Sequence, residues 1–342
     1  MSTKNIFLSV AIPTPIRCLF DYLPNKNNSY KIFKPGLRVS VPFGRRKNIV
    51  GIIVSVNNVT SCPEHKLKKI NKIIDDCPII NAGHLNLLSW ASNYYHHPIG
   101  EVIYNALPAL LRKDNLLTDY EDQFWSLSKN NISSNINNNK ISPAQTKIFN
   151  YLKKSEISIS EFELNKIFPG VKRSLYALQK RGLVHKVANK KLATVIKINK
   201  RAVELNENQE KAVNIISDSI NTHSVFLLDG LTGSGKTEVY MSVMDIIIES
   251  GKQCLILLPE IGLTPQLIQR FKDRFKVDIA IQHSGISNSE RLKYWQDAKT
   301  GKAKIILGTR SAVWTPLLNP GIYIVDEEHD LSYKQHSGFQ YS

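Results

Sequence analysis

Apolar and polar positions divide the chain into segments of different period. Near the N-terminus, Phe7-Leu8-Ser9-Val10-Ala11-Ile12, Val39-Ser40-Val41 and Ile49-Val50-Gly51-Ile52-Ile53-Val54-Ser55-Val56 read as strands, punctuated by Pro13, Pro15, Pro24, Pro35-Gly36 and Pro42. A helix follows, with Leu85, Leu88, Ala91 and Tyr95 three or four residues apart. Residues 1–112 are therefore expected to form a small β-rich domain. From Lys129 to Lys140 the chain is mostly Asn and Ser, with too little to bury to offset its ordering entropy, so 113–140 reads as a linker.

Over 141–198 a helical period takes over. Ser142-Pro143 marks a helix start with Ala144, Ile148, Tyr151 and Leu152 on one face, and Ser160 with Glu163 has capping-box spacing. Val171, Leu175 and Leu178 line a third helix that Gly182 ends, and Val184–Val187 with Thr194–Ile198 reads as a hairpin. Three helices and a hairpin predict a winged-helix domain, in which Lys172, Arg173, Lys180 and Arg181 either meet phosphate or form a solvated face. From about 202 onward, short apolar runs at 225–228, 254–258, 279–281, 304–307 and 322–325 alternate with helical patterns such as Leu267, Phe271, Phe275. Strands buried on both faces of a parallel sheet read this way, so the fold class is multidomain α/β, with chemistry expected at the carboxyl ends of the strands.

Unusual residues occupy those ends. Gly230-Leu231-Thr232-Gly233-Ser234-Gly235-Lys236-Thr237 is a complete GxxxxGK[ST] phosphate loop. Gly230, Gly233 and Gly235 let the backbone curl so that N–H groups, Ser234 included, face the phosphates of ATP; Lys236 neutralises them and Thr237 ligates Mg²⁺. Alone, the acidic run Asp326-Glu327-Glu328 would read as a solvated strand end. Beside a phosphate loop it reads as metal chemistry, Asp326 holding Mg²⁺ and Glu327 polarising the attacking water. His329 is expected to relay between the nucleotide and a partner site. Gln209, ahead of the first strand, is placed to read adenine; in isolation it would be an ordinary helix-start glutamine.

Charge narrows the partner. Among 342 residues, 45 Lys and Arg against 29 Asp and Glu give +16, which favours a polyanion and two or three domains. Cys18, Cys62, Cys77 and Cys254 are too far apart for a zinc knuckle, so no zinc is expected here. No apolar run approaches ~18 residues and the first residues do not resemble a signal peptide, so a cytoplasmic protein with no membrane partner is expected.

Longer motifs carry a resemblance. Thr232–Tyr240, Leu258-Pro259-Glu260-Ile261-Gly262-Leu263-Thr264-Pro265-Gln266, His283-Ser284-Gly285, Gly308-Thr309-Arg310-Ser311-Ala312 and Asp326–Asp330 with Ser332-Tyr333-Lys334-Gln335 resemble the bacterial replication-restart (primosomal) DNA helicases, a superfamily 2, DEAH-like family. Phe20-Asp21-Tyr22-Leu23, Val41-Pro42-Phe43-Gly44 and Tyr94–Gly100 are similar as well, so the likeness runs from about residue 8 to Ser342. It implies a 3′→5′ ATP-dependent helicase that recognises stalled forks, D-loops and single-stranded DNA. Its partners would be other primosome proteins, single-stranded DNA-binding protein and the replicative helicase. Residues 1–112 would capture a 3′ end through Phe20, Asp21, Gly44 and Lys68, and a plain structural role is also open to three of them: core ring for Phe20, turn glycine for Gly44, solvated lysine for Lys68. Residues 202–342 would be a RecA-like lobe in which Thr309, Arg310 and Ser311 track DNA, and Tyr333, Lys334, Phe339 and Tyr341 form an aromatic loop linking DNA to hydrolysis. The family continues into motif III, a second lobe that supplies arginines, and an insertion binding two zinc ions. Ending at Ser342, this chain is expected to lack them, and the alternative is a fork-binding protein that binds ATP without unwinding DNA.

Overall fold

The computed structural model describes residues 6–25, 32–115, 123–128, 141–155, 158–187, 197–198, 204–231, 233–260 and 262–342. The N-terminal strands are β1 (Phe7–Ala11), β2 (Phe20–Leu23), β3 (Arg38–Phe43), β4 (Arg46–Asn57), β5 (Lys68–Lys69) and β6 (Lys72–Ile73), in the order β5-β2-β1-β4-β3-β6. The outer strands β5 and β6 are two pieces of one short segment. Its Ile70 N–H donates to Leu23 O (3.0 Å) and its Asn71 N–H to Ser40 O (2.8 Å), so the sheet closes on itself. Strand alternation fills the interior with Leu8, Val10, Tyr22, Val39, Val41 and Ile53. Tyr22 donates its hydroxyl to Pro42 O (3.0 Å), and burial pushes its pKa up to about 12.

Two helices cover this barrel. Asn81 caps α1 (Ala82–Tyr94) by accepting from the His84 N–H, and α2 (Ile99–Ala106) lies so close to β1 that a Cβ on Gly100 would stand 1.7 Å from Ile12 O. Arg38 is fully buried. It donates to both carboxylate oxygens of Asp75 (2.8 and 2.5 Å) and to the carbonyls of Leu111 (3.0 Å), Lys113 (3.0 Å) and Asn115 (2.9 Å). One guanidinium therefore ties β3 to the segment by which the chain leaves the barrel.

Residues 120–193 form a separate compact unit. Helices α3 (Pro143–Ser155), α4 (Glu161–Ile167) and α5 (Val171–Lys180) pack with β7 (Phe124–Leu127), β8 (Ile159–Ser160) and β9 (Val184–Val187) around Trp125, Leu152, Leu164 and Leu175. Phe124-Trp125-Ser126-Leu127 corrects the expected linker: Trp125 is buried, donates to Glu161 Oε2 (3.1 Å) and anchors a strand that pairs with both β8 and β9. Residues 129–140 lie outside the described ones. The expected hairpin is also corrected. β9 pairs with β7, while β10 (Lys197–Ile198) pairs with β12 (Phe275–Lys276), and 194–196 lie outside the described residues. Lys172, Arg173 and Lys180 are exposed, and Arg181 donates to Gln145 Oε1 (3.2 Å).

In the C-terminal part, β11 (Gln253–Leu257), β13 (Ile279–Gln282), β14 (Ile305–Gly308) and β15 (Pro320–Val325) make a parallel sheet in the order β13-β14-β11-β15. Helices α6 (Glu207–Ser217), α7 (Lys236–Glu249), α8 (Pro265–Arg274) and α9 (Asn288–Lys299) connect and flank it, with Met244, Ile248, Ile256, Phe271 and Leu307 in the shared core. The run Val225–Leu228, expected as a strand, joins no ladder among the described residues. Val225 and Leu227 are 86% and 80% exposed, only Leu228 packs on the core, and β15 forms the edge with Tyr323 half-exposed. Among the described residues no helix is long and apolar enough to cross a membrane.

The Arg38 clasp generates a stability prediction. Arg38→Met strands the buried Asp75 carboxylate and three carbonyls, so urea unfolding is expected to show a loss of about 3–5 kcal/mol. A loss under about 1 kcal/mol would mean that the ion pair does not hold the barrel exit.

Candidate functional site

Parallel pairing carries the chemical segments to one edge. Leu257 stands opposite Gly308 on one side and Val325 on the other, and Gln282 stands opposite Gly308. The residues that follow these four strands, 258–266, 309–314, 326–329 and 283–285, therefore leave the sheet at its carboxyl end.

The phosphate loop leads into α7. Gly233 and Gly235 hold φ of +84° and +86°, in the left-handed region that glycine favours, and Gly235 caps the helix. Lys236 folds back so that Nζ donates to Gly230 O (2.6 Å) and contacts Leu231 O (3.4 Å), while the Ser234 N–H donates to Leu231 O (3.1 Å). Close packing leaves no room for side chains: a Cβ on Gly230 would lie 2.7 Å from Ser234 Oγ, and one on Gly235 would lie 2.4 Å from Gln209 Nε2. A tight glycine turn, a lysine ammonium within it and a helix N-terminus behind it fit a polyphosphate.

Gln209, expected to read adenine, touches the phosphate loop. Its Oε1 accepts from the Asn206 N–H (2.9 Å) in a capping box, and its Nε2 donates to Ser234 O (2.9 Å). The amide thus braces the phosphate loop.

A residue that sequence reading missed joins the loop to the acidic strand end. Tyr240, one turn beyond Lys236, donates its hydroxyl to Asp326 Oδ2 (3.2 Å) and lies beside Thr237. Burial and the facing Asp326 carboxylate push the phenol far above its usual range, so it remains a donor. Thr237 and Asp326, the two expected magnesium ligands, thus share one neighbour. The Asp326 N–H extends the ladder to Leu257 O (3.0 Å), after which Glu327 turns at φ +50° with its N–H on Asp326 Oδ1 (3.1 Å). His329, read as a relay, is largely exposed and lies 3.4 Å from Glu327.

On the same edge, the residues expected to meet DNA are partly committed to the chain. Arg310 donates to the carbonyls of Ser332 and Lys334 (both 2.9 Å), Thr309 is buried, and Ser311 and Lys334 are exposed. Tyr333 does not reach outward. Its hydroxyl shares its single proton between Leu257 O (2.9 Å) and Asp326 O (2.6 Å), and burial followed by the nearby acids raises its pKa beyond the ordinary phenol range. Phe339, expected to stack on bases, is 2% exposed. A further network missed in the sequence locks α8 to α7: Arg270 and Arg274 hold Glu238, and Arg274 also holds Asp245 (2.7 Å).

In the barrel, Phe20 stacks edge-on against Phe43, with centroids 4.8 Å apart, immediately before Gly44. Gly44 has φ +54° and open space where a side chain would be. Lys68 is exposed and pairs in register with Tyr22, two residues from Phe20. Asp21 lies on the other face of β2, where Ser9 Oγ (2.7 Å) and Thr60 Oγ1 (2.5 Å) donate to its carboxylate. Phe20 thus meets the residue before Gly44, Lys68 lies on the strand next to β2, and Asp21 is on the opposite face of β2.

Comparison with known proteins agrees in two places. A family model described as a 3′ DNA-binding domain matches residues 9–108, and one described as a DEAD/DEAH box helicase matches 206–341. The replication restart protein PriA of Haemophilus influenzae is 36% identical over 344 residues, covering 97% of this chain and 45% of the relative. That of Bacillus subtilis is 26% identical over 89% of this chain and 46% of the relative, and that of Synechocystis 43% identical over 51% and 21%. The chain thus spans just under half the length of the full relatives it matches end to end. With both domain matches in one chain and relatives of a single description aligned along nearly all of it, the chain belongs to the PriA family of replication restart proteins.

Proposed function

We propose that this chain contains the DNA-end-binding and nucleotide-binding parts of a 3′→5′ ATP-dependent DNA helicase that acts at stalled forks and D-loops and initiates primosome assembly. The observation that carries the reading is the Tyr240 hydroxyl between Thr237 and Asp326, because it joins the phosphate loop and the acidic strand end in one site. The loop N–H groups and Lys236 would bind the β- and γ-phosphates of ATP. Lys236 exchanges its bonds to Gly230 and Leu231 carbonyls for phosphate oxygens. Thr237 and Asp326 would hold Mg²⁺, which when bound supplies charge neutralisation at the phosphates. Glu327 beside them is the base that takes the proton of the attacking water.

Hydrolysis also needs cationic charge on the far side of the γ-phosphate, and Arg310 at this edge is already engaged with two carbonyls. That favours a second statement: by itself the chain binds ATP and forked DNA with little turnover. In the barrel, Phe20 would stack a terminal base, Gly44 would admit the sugar, Lys68 would meet phosphate, and Asp21 would accept a hydrogen bond at the rim of the pocket. Ser311 and Lys334, both exposed, would follow single-stranded DNA along the carboxyl edge of the sheet, with Thr309 and Arg310 joining them once Arg310 gives up its two carbonyls. The domain limits that go with this are 1–112, a winged helix over 141–198 to which the earlier strand β7 (Phe124–Leu127) is added, and a RecA-like lobe over 202–342. Other primosome proteins, single-stranded DNA-binding protein and the replicative helicase are the partners this reading implies, in the cytoplasm. The net +16 agrees with counterion-releasing DNA contact.

Two experiments test this. Lys236→Ala is expected to abolish binding of a fluorescent ATP analogue while fork affinity stays within about two-fold; retained nucleotide affinity contradicts the phosphate-loop assignment. Asp21→Ala is expected to weaken a fork bearing a free 3′-OH by roughly ten-fold, about 1.4 kcal/mol, and a fork with a blocked 3′ end far less. Equal losses on the two forks would remove the end-capture role.

A further inference from the structure

Three guanidiniums mark the seam where the N-terminal barrel meets the parallel-sheet part. Helix α9 packs against the short helical turn Ala109–Arg112, by which the chain leaves the barrel after α2. Arg112 sets its guanidinium 5.3 Å from the centre of the Tyr104 ring and donates from Nε to Leu107 O (2.9 Å), while the Tyr104 hydroxyl donates to Arg112 O (3.1 Å). From the other side, Arg291 on α9 donates from Nη2 to the carbonyl of His283, the residue that follows β13 at its carboxyl end (2.7 Å). Arg46 opens β4 and stands opposite Phe43, the ring against which Phe20 packs.

No carboxylate answers these charges among the described residues, and the terminal nitrogens of Arg112 have no acceptor there. The acids next to them in sequence are committed elsewhere. Asp114 pairs with Lys72 (3.0 Å), and Glu290 accepts from the Ser287 N–H (3.0 Å) and Oγ (2.9 Å) in the cap of α9. Arginine remains cationic throughout the physiological range, so the seam carries positive charge without an internal counter-charge. Burial lowers the pKa of Arg112, the Tyr104 phenol partly offsets this, and the Arg291 charge lowers it further; burial also lowers Arg291. Burial raises Tyr104, and the charges of Arg112 and then Arg46 pull it back, so Arg46 belongs to the same electrostatic group. Like charges that are half-buried repel each other and lose hydration, a strain that a bound anion relieves.

The placement of the row favours a strand of phosphates over a single compact anion. One end lies a cross-strand step from the Phe20 and Phe43 rings. The other end holds the carbonyl that follows β13, at the edge where the segments after β11, β14 and β15 also emerge. Guanidinium groups bind phosphate through paired N–H donors, and such contacts fix the register of a strand without reading its sequence.

We propose that Arg46, Arg112 and Arg291 form a phosphate track across this seam, holding the backbone of the nucleotides on the 5′ side of the captured 3′ end and leading that strand toward the carboxyl edge of the parallel sheet. This rests on the end-binding role proposed above. The test is the affinity of the full chain for a fluorescent 3′-OH oligothymidylate of about twelve nucleotides, measured across a series of KCl concentrations. Each phosphate contact on a single strand contributes about 0.7 to the slope of log affinity against log salt. Arg112→Gln and Arg291→Gln are each expected to flatten the slope by about that amount, and their combination by about twice it. Arg112→Lys is expected to keep the slope because the charge remains, whereas a purely structural loss would weaken binding equally at every salt concentration. Arg46→Gln, at an exposed position, gives the same reading should the half-buried variants fail to fold. Lys302→Gln removes an exposed charge just before β14, at the opposite end of the sheet, and is expected to change the slope by less than about 0.2. Unchanged slopes in folded Arg46, Arg112 or Arg291 variants that still distinguish a free from a blocked 3′ end overturn the track and leave end capture standing. A polyglutamate peptide of equal charge that displaces the oligonucleotide at the same or lower concentration, with that ability lost in the variants, would assign the seam to a protein partner and also overturn it. An unsubstituted chain that does not bind the 3′-OH oligonucleotide contradicts the proposed function, and the track with it.

Discussion

The parallel register of β11 with β14 and β15 is the constraint from which the rest of the candidate site follows. Leu257 is aligned with Gly308 and with Val325, so the segments beginning at Leu258, Thr309 and Asp326 must emerge together at one sheet edge. No local feature of the acidic run could achieve this, because Asp326 and the phosphate loop are about ninety residues apart in sequence. Parallel strands need covered faces, and α7 supplies one, burying Val239, Tyr240, Val243, Met244 and Ile247. The helix that buries the sheet is thus also the helix that carries the phosphate loop at its N-terminus, and Tyr240 serves both purposes.

Many polar groups of the site are already bonded to the chain. Lys236 rests on loop carbonyls, Gln209 on Ser234, Arg310 on the 332–334 turn and Tyr333 on the backbone at Leu257 and Asp326. Ligand binding then exchanges hydrogen bonds and does not simply add them, and the net gain of such an exchange is only about 0.5–1.5 kcal/mol per bond. Affinity for an anion in the loop is correspondingly expected to come from the charge-assisted contacts of Lys236.

Short-range signals in the sequence were readable where chemistry is local. The glycines at 230, 233 and 235, the capping residue Ser160, and the strand alternation around Leu8 and Val10 all correspond to structural features at those positions. Non-local pairing was not readable. Trp125 sits beside an asparagine-rich tract, yet its burial depends on β8 and β9, which lie about 35 and 60 residues away. The apolar run Val225–Leu228 has strand composition but no ladder partner, while Lys197–Ile198 pairs with a segment nearly eighty residues on. Arg38 carried no sequence signal because an arginine in a strand is ordinarily an outward-facing residue, and only the fold reveals Asp75 and three carbonyls converging on it. Tyr95 and Phe339 likewise form a contact spanning most of the chain length, although both stood within aromatic runs that the resemblance had singled out.

The central claim is that one nucleotide–metal complex lies between the phosphate loop and Asp326. Its sharpest test is the gain in affinity for an ATP analogue when Mg²⁺ is added, compared between the chain and Asp326→Asn, whose side-chain carbonyl preserves an acceptor for Tyr240. The chain is expected to gain about ten-fold, equivalent to about 1.4 kcal/mol, and the variant less than about two-fold. The same Mg²⁺-dependent gain in both proteins would contradict the claim.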